Sequence, residues 1–220
     1  MHLLKRFNQR FTQRFQKKSR SQPYQPLIFR CLHMVQGVLL LLGMVTGYWI
    51  FNTWDRRWLA LPLPRATEFV LEIHEEIGGL FGGAIALFIV YSLLSGRRRL
   101  IQPKSFSQLA KVGKPVWWYT LHRLVNTGLA MMGGLVVLSG DALDDDAMMV
   151  GQFSDLAYSL HVFAWAAIGV LMVGHLLLSL KVGGVPLLLS VFSRKVRVKD
   201  LPIYWPQRIF DWLIALANRF

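Results

Sequence analysis

Cysteine and charge are scarce in this sequence. Its 220 residues include one cysteine, Cys31, which excludes an intramolecular disulfide, a cysteine-ligated iron–sulfur cluster and a C-x-x-C-H attachment site. Charged residues make up 17 %, against about a quarter in a typical soluble domain. Apolar residues make up 54 %, which excludes intrinsic disorder. An ordinary soluble domain is therefore not expected, and the length fits one compact unit better than two.

The apolar residues lie in four long runs that are almost free of charge. A helix needs roughly 17–25 mainly apolar residues to cross the hydrocarbon layer of a membrane, and helices in soluble cores are rarely apolar on all sides. We therefore predict an all-α, integral membrane four-helix bundle. The predicted spans are 31–54, 77–96 with a helical lead-in from 67, 124–140 with a lead-in from 115, and 156–180.

The charges that remain are unevenly placed, with 25 Lys and Arg against 12 Asp and Glu. Residues 1–30, the loop between the second and third spans, and the tail are basic, whereas the loop between the third and fourth spans is acidic. The positive-inside rule then predicts that both termini are cytoplasmic. Membrane lipid is the expected partner of this charge, and no nucleic acid is needed to explain it.

Three regions follow from these patterns. Residues 1–25 are predicted to form a basic cytoplasmic extension, 26–182 the four-helix domain, and 183–220 a cytoplasmic tail. The stretch 203–220 mixes aromatic residues with Arg208, Asp211 and Arg219 and is too short and polar to cross. It is predicted to be an amphipathic helix in the membrane interface, or a docking segment for a partner.

Five of the six histidines fall in or beside the spans, where ionisable side chains are costly and usually functional. His161 and His175 are fourteen residues apart, which places them about 21 Å apart along a helix and within about 40° of one face. His33 lies at the depth of His175, and His74 at the depth of His161. Depth alone therefore predicts two pairs, His33 with His175 and His74 with His161.

Two opposed imidazoles suit the two axial positions of a haem iron, whereas zinc needs four ligands. The pattern thus predicts two haems b stacked across the bilayer, with the four paired histidines as iron ligands. Small residues lie within a few turns of them and permit either a flat macrocycle or close helix packing. These residues are Gly37, Gly78, Gly79, Gly82, Gly83, Gly169 and Gly174.

His122 is left over at the start of the third span, at the depth of His33 and His175. It shares a helix face with Asn126, four residues on, and Gly128 follows. A histidine that titrates near neutrality and an amide could hold and protonate a quinone head group. Two other interpretations stay open: His122 replaces one of the inner ligands, or it contacts haem propionates or lipid phosphates together with Arg123.

The sequence resembles the four-helix dihaem cytochrome b superfamily, which includes prokaryotic cytochrome b561 and the membrane subunits of formate dehydrogenase and nickel–iron hydrogenase. The resemblance is carried by R-C-L-H-M and L-L-G-M-V-T-G on the first span, I-H-E-E-I-G-G-L-F-G on the second, and L-H-V-F-A-W with G-H-L on the fourth. The fourteen-residue histidine spacing is also found in the formate dehydrogenase subunit. Asn126, Thr127 and Gly128 are similar to an N-x-G motif beside the quinone site of that subunit.

The resemblance implies a membrane anchor that transfers electrons between a quinone pool and an iron–sulfur or other redox protein, as the membrane subunit of a respiratory or photosynthetic oxidoreductase. The chain has no nucleotide-binding loop or iron–sulfur ligands of its own, so substrate oxidation is expected elsewhere. Two alternatives remain at this point. One is a stand-alone cytochrome b561 that acts on a small diffusible molecule, and the other is a haem-free membrane scaffold or transporter.

Overall fold

A computed structural model describes residues 25–55, 60–144, 152–197, 200, 202–204, 206–207, 210–211 and 214. The helices with defined bounds are α1 (Leu27–Trp54), α2 (Glu68–Leu94), α3 (Pro103–Leu109), α4 (Pro115–Asp144) and α5 (Gln152–Leu188). Short 3₁₀ turns lie at Arg97–Arg99, Leu189–Phe192 and Pro202–Tyr204. The described residues contain no strand.

Four of these helices, α1, α2, α4 and α5, are long and apolar enough to cross a membrane. The prediction of an all-α membrane bundle is confirmed. The predicted lead-ins at 67 and 115 are also helical, because α2 begins at Glu68 directly after Thr67 and α4 begins with Pro115. Proline suits the first turn of a helix, since the missing N–H has no partner there.

The short helix α3 is not among the predicted elements. Its first residue is Pro103, and the backbone N–H of Gln102 donates to the Ser105 hydroxyl at 3.1 Å. These residues start a short helix that has no apolar periodicity, so the hydrophobic pattern of the sequence does not reveal this helix.

The last span is longer than predicted and is bent near its end. Gly184 has φ 66° and ψ −169°, a conformation open only to glycine, and Pro186 follows two residues later. Proline also removes one helical hydrogen bond. The regular helix of α5 is therefore interrupted close to the point where the basic tail begins.

The described residues divide into two compact units. The first consists of the residues up to Cys31 and those from Leu189 onward. In it, Asp200 accepts a hydrogen bond from the backbone N–H of Leu27 at 3.2 Å. The buried guanidinium of Arg30 donates to the backbone carbonyls of Ser193 and Lys195. The start of α1 and residues 193–200 are thus tied together by side-chain to backbone hydrogen bonds.

The second unit, Leu32–Leu188, contains the histidines. Helices α4 and α5 lie against each other for much of their length, and α2 packs on α4 over a shorter stretch. Ala164 and Ile168 of α5 are fully buried, whereas many of the larger apolar side chains of all four spans face outward. Outward apolar side chains are what a lipid-facing surface requires.

The connection between α1 and α2 is fixed to the end of α1. Asn52, which is 1 % exposed, bonds with its amide to both the N–H and the carbonyl of Leu61, at 2.8 and 3.1 Å. The Thr53 hydroxyl accepts from the backbone N–H of Ala66 at 2.8 Å. Specific hydrogen bonds therefore hold the connection between α1 and α2 against the end of α1.

Two parts of the predicted organisation lie largely outside the described residues. Of the basic extension 1–25 only Gln25 is described, and of the segment 203–220 only a few residues are. The three-region division, the interfacial helix and the cytoplasmic placement of both termini stay predictions.

Candidate functional site

The structure brings the predicted histidine pairs together. The ring centroids of His33 and His175 lie 6.0 Å apart, and those of His74 and His161 lie 6.2 Å apart. We name these the inner pair and the outer pair, after the predicted topology. His122 joins the inner group, with its ring centroid 5.4 Å from that of His175.

The pairs draw on three helices, and α5 contributes to both. His33 comes from α1, His74 from α2, and both His161 and His175 from α5. The ring planes of the inner pair are inclined by 30°, and those of the outer pair by 82°. The Phe88 ring stands edge-on to His33 with its centroid 6.0 Å away.

Hydroxyl groups hold the outer pair. Nδ1 of His74 lies 2.8 Å from the Thr46 hydroxyl, and Nδ1 of His161 lies 3.3 Å from the Ser139 hydroxyl. Each hydroxyl also donates to a carbonyl four residues back on its own helix, at 2.9 Å for Thr46 and 2.7 Å for Ser139. A carbonyl only accepts, so each hydroxyl oxygen accepts from the imidazole, and Nδ1 is the protonated nitrogen.

An antiparallel ladder of side chains holds the inner group between α4 and α5. Asn126 Oδ1 lies 2.8 Å from Nδ1 of His175, and one turn away the Ser179 hydroxyl lies 3.2 Å from Nε2 of His122. The other end of the Asn126 amide donates to the backbone carbonyl of Arg99 at 3.2 Å.

His122 differs from three of the paired histidines in the ring nitrogen that bonds to the protein. His74, His161 and His175 all use Nδ1 for their protein partner, which leaves the Nε2 lone pair of each ring available to a metal. His122 uses Nε2 instead. Iron-binding histidines commonly donate one ring N–H to a protein acceptor and bind metal through the other nitrogen. The pattern favours His33 over His122 as the partner of His175.

The two pairs fit a haem by their separation. Imidazole–metal bonds are about 2.0–2.1 Å long and the ring centre is about 1.1 Å further, so rings on opposite sides of one ion have centres about 6.3 Å apart. The observed separations of 6.0 and 6.2 Å agree with this. Gly37 and Gly78 follow His33 and His74 by four residues, on the same helix face, and an added Cβ at either would meet nothing within 4 Å. The residues present thus fit a flat group beside each ligand.

Other glycines allow the outer rings to pack closely. An added Cβ at Gly47 would lie 3.0 Å from Cε1 of His74, and at Gly140 it would lie 3.1 Å from Cε1 of His161. Sequence reasoning missed both glycines, and it missed the hydroxyls of Thr46 and Ser139. The available signal was a small or hydroxyl residue at the depth of the outer histidines on a neighbouring span.

The three residues predicted for a quinone lie on one stretch of α4 but have different surroundings. Asn126 is engaged with His175 and Arg99, and His122 with Ser179. An added Cβ at Gly128 would lie 3.2 Å from a methyl group of Leu171, so this glycine permits close packing of α4 on α5.

A helical bundle with four membrane-spanning helices and histidines inside its spans is typical of the b-type cytochromes. The family model of prokaryotic cytochrome b561 matches residues 24–193, and the chain belongs to that family. It is a multi-pass membrane b-type cytochrome for electron transfer, with haem b as its cofactor. The resemblance predicted from the sequence is thereby confirmed. No individual curated protein and no solved structure matches the chain.

Proposed function

We propose that this cytochrome binds two haems b, one between His33 and His175 and one between His74 and His161, and that it transfers electrons across the bilayer. The observation that carries the proposal is the ring-nitrogen pattern: opposed imidazoles about 6 Å apart, with Nδ1 bonded to protein in three of the four. Haem b, when bound, supplies a one-electron redox couple at each end of the bundle.

The chain's own residues orient the ligands and keep water away. Thr46, Ser139 and Asn126 fix three imidazoles in one tautomer, so no reorientation is needed when the charge of the site changes. The buried side chains of Ala164 and Ile168 lie between His161 and His175 on α5. The segment between the pairs is therefore apolar, which disfavours charge and water at that depth.

The inner group also supports proton exchange with a quinone. Nδ1 of His122 has no partner among the described residues, and the Asn126 amide has a second N–H besides the one bonded to Arg99. In the proposal, Asn126 donates to a quinone carbonyl and His122 moves protons to or from it. Gly128 lets α5 approach at this level.

The direction and the partner complete the proposal. If electrons arrive from the outer side, quinone reduction at the inner side takes protons from the cytoplasm and builds a membrane potential. We propose the membrane subunit of a respiratory or photosynthetic oxidoreductase, with an iron–sulfur or other redox protein as partner. Purification of a stoichiometric partner supports this assignment, whereas a protein active alone on a small diffusible molecule overturns it.

The test of the haem assignment is a pyridine haemochrome assay with reduced-minus-oxidised spectra on the purified protein and on single histidine variants. We expect two haems b per chain in the wild type, and loss of one in His33→Ala, His74→Ala, His161→Ala and His175→Ala. The matched control, His122→Ala, should keep both haems and lose quinone-linked haem oxidation.

Three outcomes would contradict these assignments. Loss of a haem in His122→Ala but not in His33→Ala makes His122 the inner ligand. One haem in the wild type removes one pair. A well-folded protein without haem supports the scaffold or transporter alternative.

A further inference from the structure

We infer that Asn126 is a positioning residue that locks the His175 imidazole in one tautomer, and that it connects this imidazole to the chain segment between α2 and α3. The inference rests on the proposed function, because it takes His175 as a ligand of the inner haem. It adds a role that is separate from any contact with a quinone.

The orientation of the Asn126 amide follows from its two partners. The carbonyl oxygen of Arg99 can only accept, so the group facing it at 3.2 Å must be the NH₂ of Asn126. The amide oxygen then faces Nδ1 of His175 at 2.8 Å. Since that oxygen can only accept, Nδ1 must carry the proton. Nε2 of His175 is left with a lone pair, which is the state an iron ligand needs.

The reversed amide is disfavoured at both ends. It would bring two oxygens together at Arg99, and it would direct an N–H at His175. Nε2 would then hold the ring proton and could not bind iron. Asn126 therefore holds the inner ligand in one tautomer, as Thr46 and Ser139 hold the outer ligands.

The Arg99 carbonyl is itself held in place by a neighbouring contact. The backbone N–H of Ile101 donates to the Thr127 hydroxyl at 2.9 Å, and that hydroxyl donates to the Arg123 carbonyl at 2.9 Å. Adjacent side chains of α4 therefore bind two points of the same segment. Of these two side chains, only Asn126 also bonds to α5, through the imidazole of His175.

The effect on the haem has a predictable sign. A stronger acceptor at Nδ1 makes the imidazole a better electron donor and stabilises the oxidised iron, whereas loss of the acceptor does the opposite. Asn126→Asp should therefore lower the midpoint potential of the inner haem, and Asn126→Leu should raise it. Opposite shifts distinguish control of the imidazole from simple disturbance of packing, which would move both variants the same way.

The test is a spectroelectrochemical titration of the purified, quinone-free cytochrome, with electron paramagnetic resonance of the oxidised sample. We expect the oxidised-to-reduced ratio of the inner haem to change about tenfold at a fixed potential, which is 59 mV for a one-electron couple. The outer haem serves as an internal control and should not move. Thr127→Val is the matched control, because it releases the segment at Ile101 without touching His175.

The possible failures are distinguishable. Equal shifts in Thr127→Val, same-sign shifts in the two Asn126 variants, or no shift in either would overturn the inference and leave the haem assignment intact. If His33→Ala and His175→Ala keep both haems, the proposed function itself fails.

Discussion

Replacing Gly47 by alanine is expected to weaken the outer haem site and leave the inner site unchanged. An added Cβ at Gly47 would lie 3.0 Å from Cε1 of His74, whereas ordinary contacts begin at 3.4 Å. The imidazole would have to move by about 0.4 Å to restore an ordinary contact. Functional side chains must be held within about 0.5 Å of their working geometry, so this movement uses nearly the whole tolerance.

The size of the effect follows from the cost of overpacking. Inserting a methyl group into a packed site costs about 1–3 kcal/mol. If the whole cost falls on the ligand, haem affinity at the outer pair drops about 5- to 150-fold, since 1.4 kcal/mol corresponds to a factor of ten. The measurement is the rate of haem transfer to excess apomyoglobin, followed together with the haem content of the cytochrome.

Gly83→Ala is the control for this prediction. Gly83 lies on α2 nine residues after His74, about 180° around the helix, and an added Cβ there meets nothing within 4 Å. It should transfer haem at the wild-type rate. The reasoning is refuted if Gly47→Ala keeps both haems with unchanged transfer, or if the two variants behave alike.

Three further substitutions test other contacts. Thr46→Val keeps the shape of the side chain and removes the acceptor for His74, so haem affinity at the outer pair should fall by about tenfold in the same transfer assay. Tyr158→Phe removes a 2.5 Å hydrogen bond to Asp55 and should lower the free energy of unfolding by about 1.5–3 kcal/mol, seen as a lower melting temperature with an unchanged haem spectrum. Arg30→Met removes the buried donor of the Ser193 and Lys195 carbonyls and should cost about 1–3 kcal/mol, seen as faster proteolysis after residue 193. A variant that behaves like the wild type in its assay would contradict the corresponding contact.

The histidines could be found from the sequence because their cost in a membrane makes them stand out. Helical rise and rotation then place His161 and His175 on one face, and depth supplies their neighbours. The rise and rotation are properties of a single helix, and the depth follows from the thickness of the membrane. They do not depend on how the helices pack, so no tertiary information was required.

The partners of the histidines could not be found in this way. A serine or threonine in a membrane helix usually bonds a carbonyl of its own helix, as Thr46 and Ser139 do. Their depth in the membrane brings them near the outer histidines, but it does not show which of them also bonds to an imidazole. The same holds for Asn126, whose N-x-G context pointed to a quinone and not to His175. Which ring nitrogen each histidine uses depends on the rotation of neighbouring helices, which a single sequence does not encode locally.

The placement of one member of each pair on α5 has a consequence for engineering the helix. His161 and His175 lie on the same helix, so the number of residues between them sets the angle between their side chains around the helix axis. Inserting one residue between them would rotate one histidine by about 100° around the helix axis relative to the other. Inserting seven residues would restore the angle to within about 20° but would increase the distance along the helix by about 10 Å. The length of this interval therefore sets, within a single helix, both the relative orientation and the spacing of the two proposed haem ligands.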